Sequence, residues 1–137
     1  MDVDECRRRF AAADHAHLAT TGDDGQPHLV PVAVTLVGDE IFFAVDHKPK
    51  RTTALPHLRN IAENPRVSFL VDHYEANWTR LWWVRADAEA RVVAGGEEHA
   101  RAVAALQEGH RPYAVLPPTG PVVLAGVLRW SGWSAAA

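Results

Sequence analysis

Cysteine is nearly missing from this chain: Cys6 is the only one among 137 residues. One thiol excludes an internal disulfide and argues against a cysteine-ligated metal. Its place in an N-terminal helical pattern makes it a packing residue. Long apolar runs are missing too. No stretch approaches the ~20 apolar residues that a membrane helix needs. The N-terminal MDVDECRRRF has no apolar run behind its arginines, so no secretory signal is expected and the cytoplasm is the expected compartment. A basic excess is absent as well. Fourteen Lys and Arg stand against 17 Asp and Glu, a formal net charge of −3, which argues against a nucleic-acid partner. The eight histidines lack metal-ligand spacing, and His15-x-His17 would share a face only if both lay on one strand. No metal is expected, and no catalytic triad is visible.

What is present describes one soluble globular domain over residues 1–137, with 47% apolar and 23% charged residues. Residues 2–13 have helical spacing, with Asp2 and Glu5 set as a capping box. His17–Thr21 reads as a short strand, followed by the turn cluster GDDGQP. His28–Val37 reads as one valine-rich strand, and Pro31 confines it to an edge or a bulge. Gly38-Asp39 makes a hairpin turn into Ile41–Val45. Arg51–Glu63 has helical spacing, broken or delayed by Pro56. Val67–Val71 is a buried strand. Leu81–Val93 is a long strand with a weak middle at Ala86–Ala88 that suits a bulge. Glu97–Gln107 is a helix, Gly109–Pro118 a loop, and Val122–Trp133 the last strand. The pattern is mainly β (α+β): six strands with two or three helices. Hairpin links make the sheet antiparallel, and valine-rich strands in so short a chain favour a closed or partly closed barrel.

Two clusters carry candidate chemistry. Lys48, Lys50 and Arg51, followed by Thr52 and Thr53, stand where a strand gives way to a helix. Cationic side chains, hydroxyls and a helix N-terminus together suit a phosphate, although a solvated turn has the same composition. Arg7-Arg8-Arg9 reads as the exposed face of a terminal helix. Five tryptophans are the second feature: Trp78, Trp82 and Trp83 on one segment, Trp130 and Trp133 on another. Adjacent Trp82 and Trp83 on a strand point to opposite faces, so one can enter the core while the other faces outward.

The run DHKPKRTTALPHLRNIAENPRVSFLVD resembles the pyridoxamine 5′-phosphate oxidase-like superfamily of split β-barrels. HLATTGDDGQPHLVPV and LWWVRADAEARV are similar to the flanking parts of the same superfamily. The ending LRWSGWSA resembles a subgroup dependent on the deazaflavin coenzyme F420. The resemblance implies a six-stranded antiparallel FMN-binding split barrel with flanking helices, working as a homodimer with cofactor at the subunit interface. It implies an oxidoreductase that transfers hydride between F420 and a small electron-poor acceptor. FMN in place of F420, or a non-catalytic carrier of a flavin- or haem-type ring, are the alternatives. It assigns Lys48, Lys50, Arg51, Thr52 and Thr53 to the cofactor phosphate. Pro31, Val32 and Ala33 fall beside the ring, with Trp78 and Trp82 as aromatic walls. Leu55-Pro56-His57 departs from relatives, which carry more basic residues there. Asp72-His73-Tyr74 is a candidate for proton supply, and no catalytic residue is assigned. The ending Ser131-Gly132-Trp133-Ser134 with three alanines lacks the basic residues of true pyridoxamine phosphate oxidases, so that activity is not expected.

Overall fold

A computed structural model describes residues 1–45 and 56–136. The first helix, α1 (Val3–Ala11), starts where expected, because the Asp2 carboxylate accepts the Glu5 N–H at 2.8 Å. Its apolar stripe carries Cys6 and Phe10 into the core. Seven strands follow: β1 (His15–Thr21), β2 (Pro27–Ala33), β3 (Thr35–Val37), β4 (Glu40–Ala44), β5 (Arg66–His73), β6 (Trp82–Val93) and β7 (Val122–Ser134). Helices α2 (Pro56–Glu63), α3 (Glu97–Gly109) and α4 (Arg111–Val115) lie between them, with a 3₁₀ turn at Trp78–Arg80.

Three expectations are corrected here. The described strands number seven, because the valine-rich run His28–Val37 is two strands separated by Val34. The described helices number four, because the segment read as a loop, Gly109–Pro118, contains α4. Pro112 misled that reading; at the start of a helix its missing N–H costs nothing. The first strand begins at His15 rather than His17, which puts both histidines on it.

All seven strands form one antiparallel sheet in the order β2-β1-β5-β6-β7-β4-β3. The two edge strands, β2 and β3, are consecutive in the chain with Val34 alone between them. The sheet must therefore curl until its edges approach, and the gap between them is the split. Gly38, with φ +63°, makes the β3–β4 hairpin turn. The expected irregularity in β6 is present. The β6–β7 register shifts between Asp87 and Ala88, with Leu128 as the extra residue on β7.

Inside the curl, Leu18, Ile41, Phe43, Phe69, Val84 and Val123 pack with Phe10 and are out of water. Strand β4 reads EIFFA with no polar alternation because both its faces are covered. Ile41 and Phe43 face the barrel interior, while Phe42 packs under α3 with Leu106 and Leu124. The described part of helix α2 runs from Pro56 to Glu63, and the stretch from Arg51 where the helical spacing starts lies outside the described residues. The helix is tied to β1 by Asn60, which donates to the buried Thr20 Oγ1 at 3.0 Å.

Candidate functional site

Backbone direction alternates along a strand, so one bond orients the whole of β2. The Val34 N–H donates to Asp14 O at 3.4 Å, beside the pair His15–Ala33. Counting back by twos, Val32, Val30 and His28 turn their backbone groups toward β1. Leu29, Pro31 and Ala33 turn theirs to the opposite edge, along the split. Pro31 thus stands where its missing N–H takes nothing from the ladder, and its carbonyl faces the edge. The Val32 side chain packs against the core.

His28 from β2 and His57 from α2 meet at this edge. Their rings stack with centroids 6.2 Å apart and planes at 26°, and Phe43 lies 6.1 Å from His57. The Nδ1 atom of His28 is out of water and has no hydrogen-bond partner among the described residues. Burial, and then the neighbouring His28, hold His57 below the ordinary imidazole range. Lys48, Lys50, Arg51, Thr52 and Thr53, assigned to a phosphate by sequence, lie outside the described residues, as does His47. They directly precede α2 in the chain.

The convex face of β2-β1-β5-β6 is a second feature. Leu29 is 70% exposed and Leu70 37%, and on the neighbouring β7 Leu128 is 57% and Trp133 47% exposed. Leu29, Pro31, Leu70 and Trp83 line an apolar concavity of about 690 Å³ with His17, Asp72 and Arg85. The Arg85 guanidinium lies 5.9 Å from the Trp83 ring. Its Nε is 3.2 Å from Asp87 Oδ1, yet not aligned for a hydrogen bond, and Ser131 Oγ beside it also lacks a partner among the described residues. Sequence reasoning did not single out Leu29, Leu70 or Arg85. Strand alternation alone would have put Leu70 opposite Phe69, but only the sheet order leaves that face uncovered.

The tryptophans divide as strand geometry requires. Trp82 turns to the core side, with the Arg9 guanidinium 4.9 Å over its ring and His73 stacked at 6.5 Å. Trp83 faces outward. Trp78, in the 3₁₀ turn, is 72% exposed. Trp82 and Pro31 border adjoining concavities that share His17, Leu70 and Asp72. His73 bonds to the Glu75 carboxylate and is thereby occupied at one nitrogen. His15 and His17 do share a face, with rings 5.9 Å apart, but no group of three metal-ligating side chains converges among the described residues. Arg7, Arg8 and Arg9 are tied to acidic partners: Arg7 to Asp4 and Asp39, Arg8 and Arg9 to Glu5.

The family model described as pyridoxamine 5′-phosphate oxidase matches residues 3–125. The chain belongs to that family. A comparison with curated proteins finds no match. Among solved structures, a conserved hypothetical protein of Mycobacterium tuberculosis is similar at 23% identity and a TM-score of 0.76, over 98% of this chain and 86% of that one. An FAD-binding protein from Mesorhizobium loti is 18% identical with a TM-score of 0.75, over 96% of this chain and 94% of that one. The heme storage protein of Vibrio cholerae is 17% identical with a TM-score of 0.71, over 96% and 93%. At these identities the likeness is one of fold. It establishes the split barrel of the pyridoxamine 5′-phosphate oxidase family for this chain. No described helix is long and apolar enough to cross a membrane.

Proposed function

We propose that this member of the family is an oxidoreductase that binds the deazaflavin coenzyme F420 and passes hydride between it and a small electron-poor acceptor. The observation that carries the reading is the split itself. It offers the edge-directed backbone of Pro31 and Ala33 on one side, and the strongly basic run Lys48–Arg51 leads into the helix beside it in sequence. A planar ring gains hydrogen bonds from such an edge, while a phosphodiester tail gains charge from the lysines and arginine and donors from Thr52 and Thr53. The cofactor supplies the redox chemistry; the protein supplies binding, orientation and exclusion of water. The choice of F420 over FMN rests on the likeness of the C-terminal strand LRWSGWSA to the deazaflavin-dependent subgroup.

The active form is a homodimer built on the convex face. Leucines exposed side by side on one sheet face, around an apolar concavity, mark a surface that loses water to a partner. That face carries both Arg85 and Asp72, so a second copy turned about a two-fold axis finds opposite charges. Trp78, which touches little of its own subunit, is then free to wall the cofactor of either subunit.

Titration of the purified protein with F420 and with FMN, followed by tryptophan fluorescence, tests the cofactor. Tight binding of F420 alone supports the reading, and tight binding of FMN alone moves the protein to the flavin branch. Lys50→Ala is expected to weaken binding by about 1.5–3 kcal/mol, the worth of a charge-assisted contact. An unchanged affinity removes Lys50 from the grip. The heme storage protein of the same fold supports a second reading, a carrier that binds a ring without turning it over. Bound cofactor that is never oxidised by any acceptor of a quinone or enone panel would favour that one.

A further inference from the structure

Two imidazoles stacked beside a phenylalanine make a poor packing solution. Each carries polar nitrogens, and one of them, His28 Nδ1, is out of water with no bond to any described residue. A buried donor or acceptor left unpaired is costly, so a site that keeps one has a use for it when a ligand arrives. The two rings come from different elements, β2 and α2, and meet at the split.

We propose that His28 and His57 together form a binding site for an oxyanion, of the phosphate, sulfonate or carboxylate class, which they hold by becoming protonated as it binds. This deepens the reading of the split as a cofactor slot and rests on it. An anion at the shared edge of the two rings accepts an N–H from each and offsets the repulsion between two neighbouring imidazolium charges. Among the described residues nothing else is placed to do so. From β4 the pair meets Phe43, and from β1 Thr20, the register partner of His28, whose hydroxyl already accepts from Asn60. On α2 itself, Arg59 is exposed and Glu63 accepts the Asp23 N–H at the far end of the helix. No carboxylate among the described residues pairs with either ring, whereas His15 and His73 each have one. Burial favours the neutral form of His57 in the empty protein, so proton uptake is coupled to the arrival of the anion.

By linkage, the affinity of the pair for an anion rises as pH falls, by up to about tenfold per pH unit for each proton taken up. This contrasts with the lysines and arginine of the basic run, whose charge is constant over the same range.

The test is an NMR titration of the imidazole Cε1–H resonances in the full chain with no cofactor. One series is run in chloride and one in sulfate at matched ionic strength. Sulfate is chosen because its own charge is constant through the histidine range. His28→Gln and His57→Gln serve only to assign resonances, so the wild-type titration decides even if either variant folds poorly. The expected result is an upward shift of about one pH unit or more for His57 and His28 in sulfate, with His99 and His110 unmoved. No shift, or an equal shift at all four histidines, overturns the proposal. If the pair shifts but neither F420 nor FMN binds, the anion site stands and the cofactor reading falls; if a cofactor binds while the pair stays unmoved, the reverse holds.

Discussion

Asp39 shows how much a single surface residue can be asked to hold in this fold. It sits in the β3–β4 turn, yet accepts from Arg7 of α1 at 2.7 and 2.9 Å and from the Trp130 indole N–H of β7 at 3.0 Å. The bonds from Arg7, and then that from Trp130, hold its carboxyl at about 2 instead of 3.8. Because the folded value is the lower one, the stabilisation is complete above 3.8 and is lost as pH falls through about 2. Asp39→Asn is therefore expected to unfold more easily than wild type at neutral pH, with the difference closing in acid; denaturant unfolding along a pH series measures this. A constant difference would mean that packing, not charge, is what the substitution removes. His57 has the same sign at a higher pH. Its neutral form is favoured in the fold, so the wild-type stability should begin to fall as pH drops below its ordinary value of 6.5. The interior is less forgiving. Phe69 meets both Phe10 and Phe43 edge-on and is fully buried, so Phe69→Ala should cost about 3–5 kcal/mol, read from the urea midpoint.

Among the elements, α2 is the one whose docking matters most to the site. Its C-terminal half and the residue after it are held by polar contacts to the end of β1 and the turn that follows: Asn60 to Thr20, Asn64 to Thr21, and Glu63 accepting the Asp23 N–H at 2.9 Å. Gly22 makes that approach possible. A Cβ there would lie 2.5 Å from Glu63 Oε1 and 2.7 Å from Asn60 Oδ1. Both side chains can swing aside only by giving up the bonds that dock the helix. Gly22→Ala is expected to destabilise by about 1–3 kcal/mol. It should also weaken cofactor binding, since the first turn of α2 carries His57. Wild-type stability in this variant would show that the helix is held by Leu58 and Ile61 alone.

At the scale of the whole molecule, the described residues cover one half of the sheet's outer face and leave the other half bare. Helix α3 lies over β4 and the start of β7, while among the described residues nothing is layered on the outer face of β2-β1-β5-β6. A double substitution there, Leu29→Glu with Leu70→Glu, should yield a folded monomer at micromolar concentration, by sedimentation and far-ultraviolet circular dichroism. A dimer that survives both charges would place the interface elsewhere on the protein, and a monomeric wild type would remove the shared-pocket reading.

Most of the elements were legible in the residues, because their signals are local. Asp2 capped the first helix, Gly38-Asp39 turned the hairpin, and the weak middle at Ala86–Ala88 marked the irregularity in β6. The break at Val34 was not legible. Both halves of His28–Val37 are equally strand-like, and only the closing of the sheet sends one half to each edge. The pairing of His28 with His57 was hidden for the same reason, since the two are brought together by the curl and not by any spacing in the chain. Local sequence determines which residues extend or coil, through backbone sterics and hydrogen bonds within reach of a few positions. Which faces are covered, which edge stays open and which distant rings meet were decided only when the sheet closed around its apolar interior.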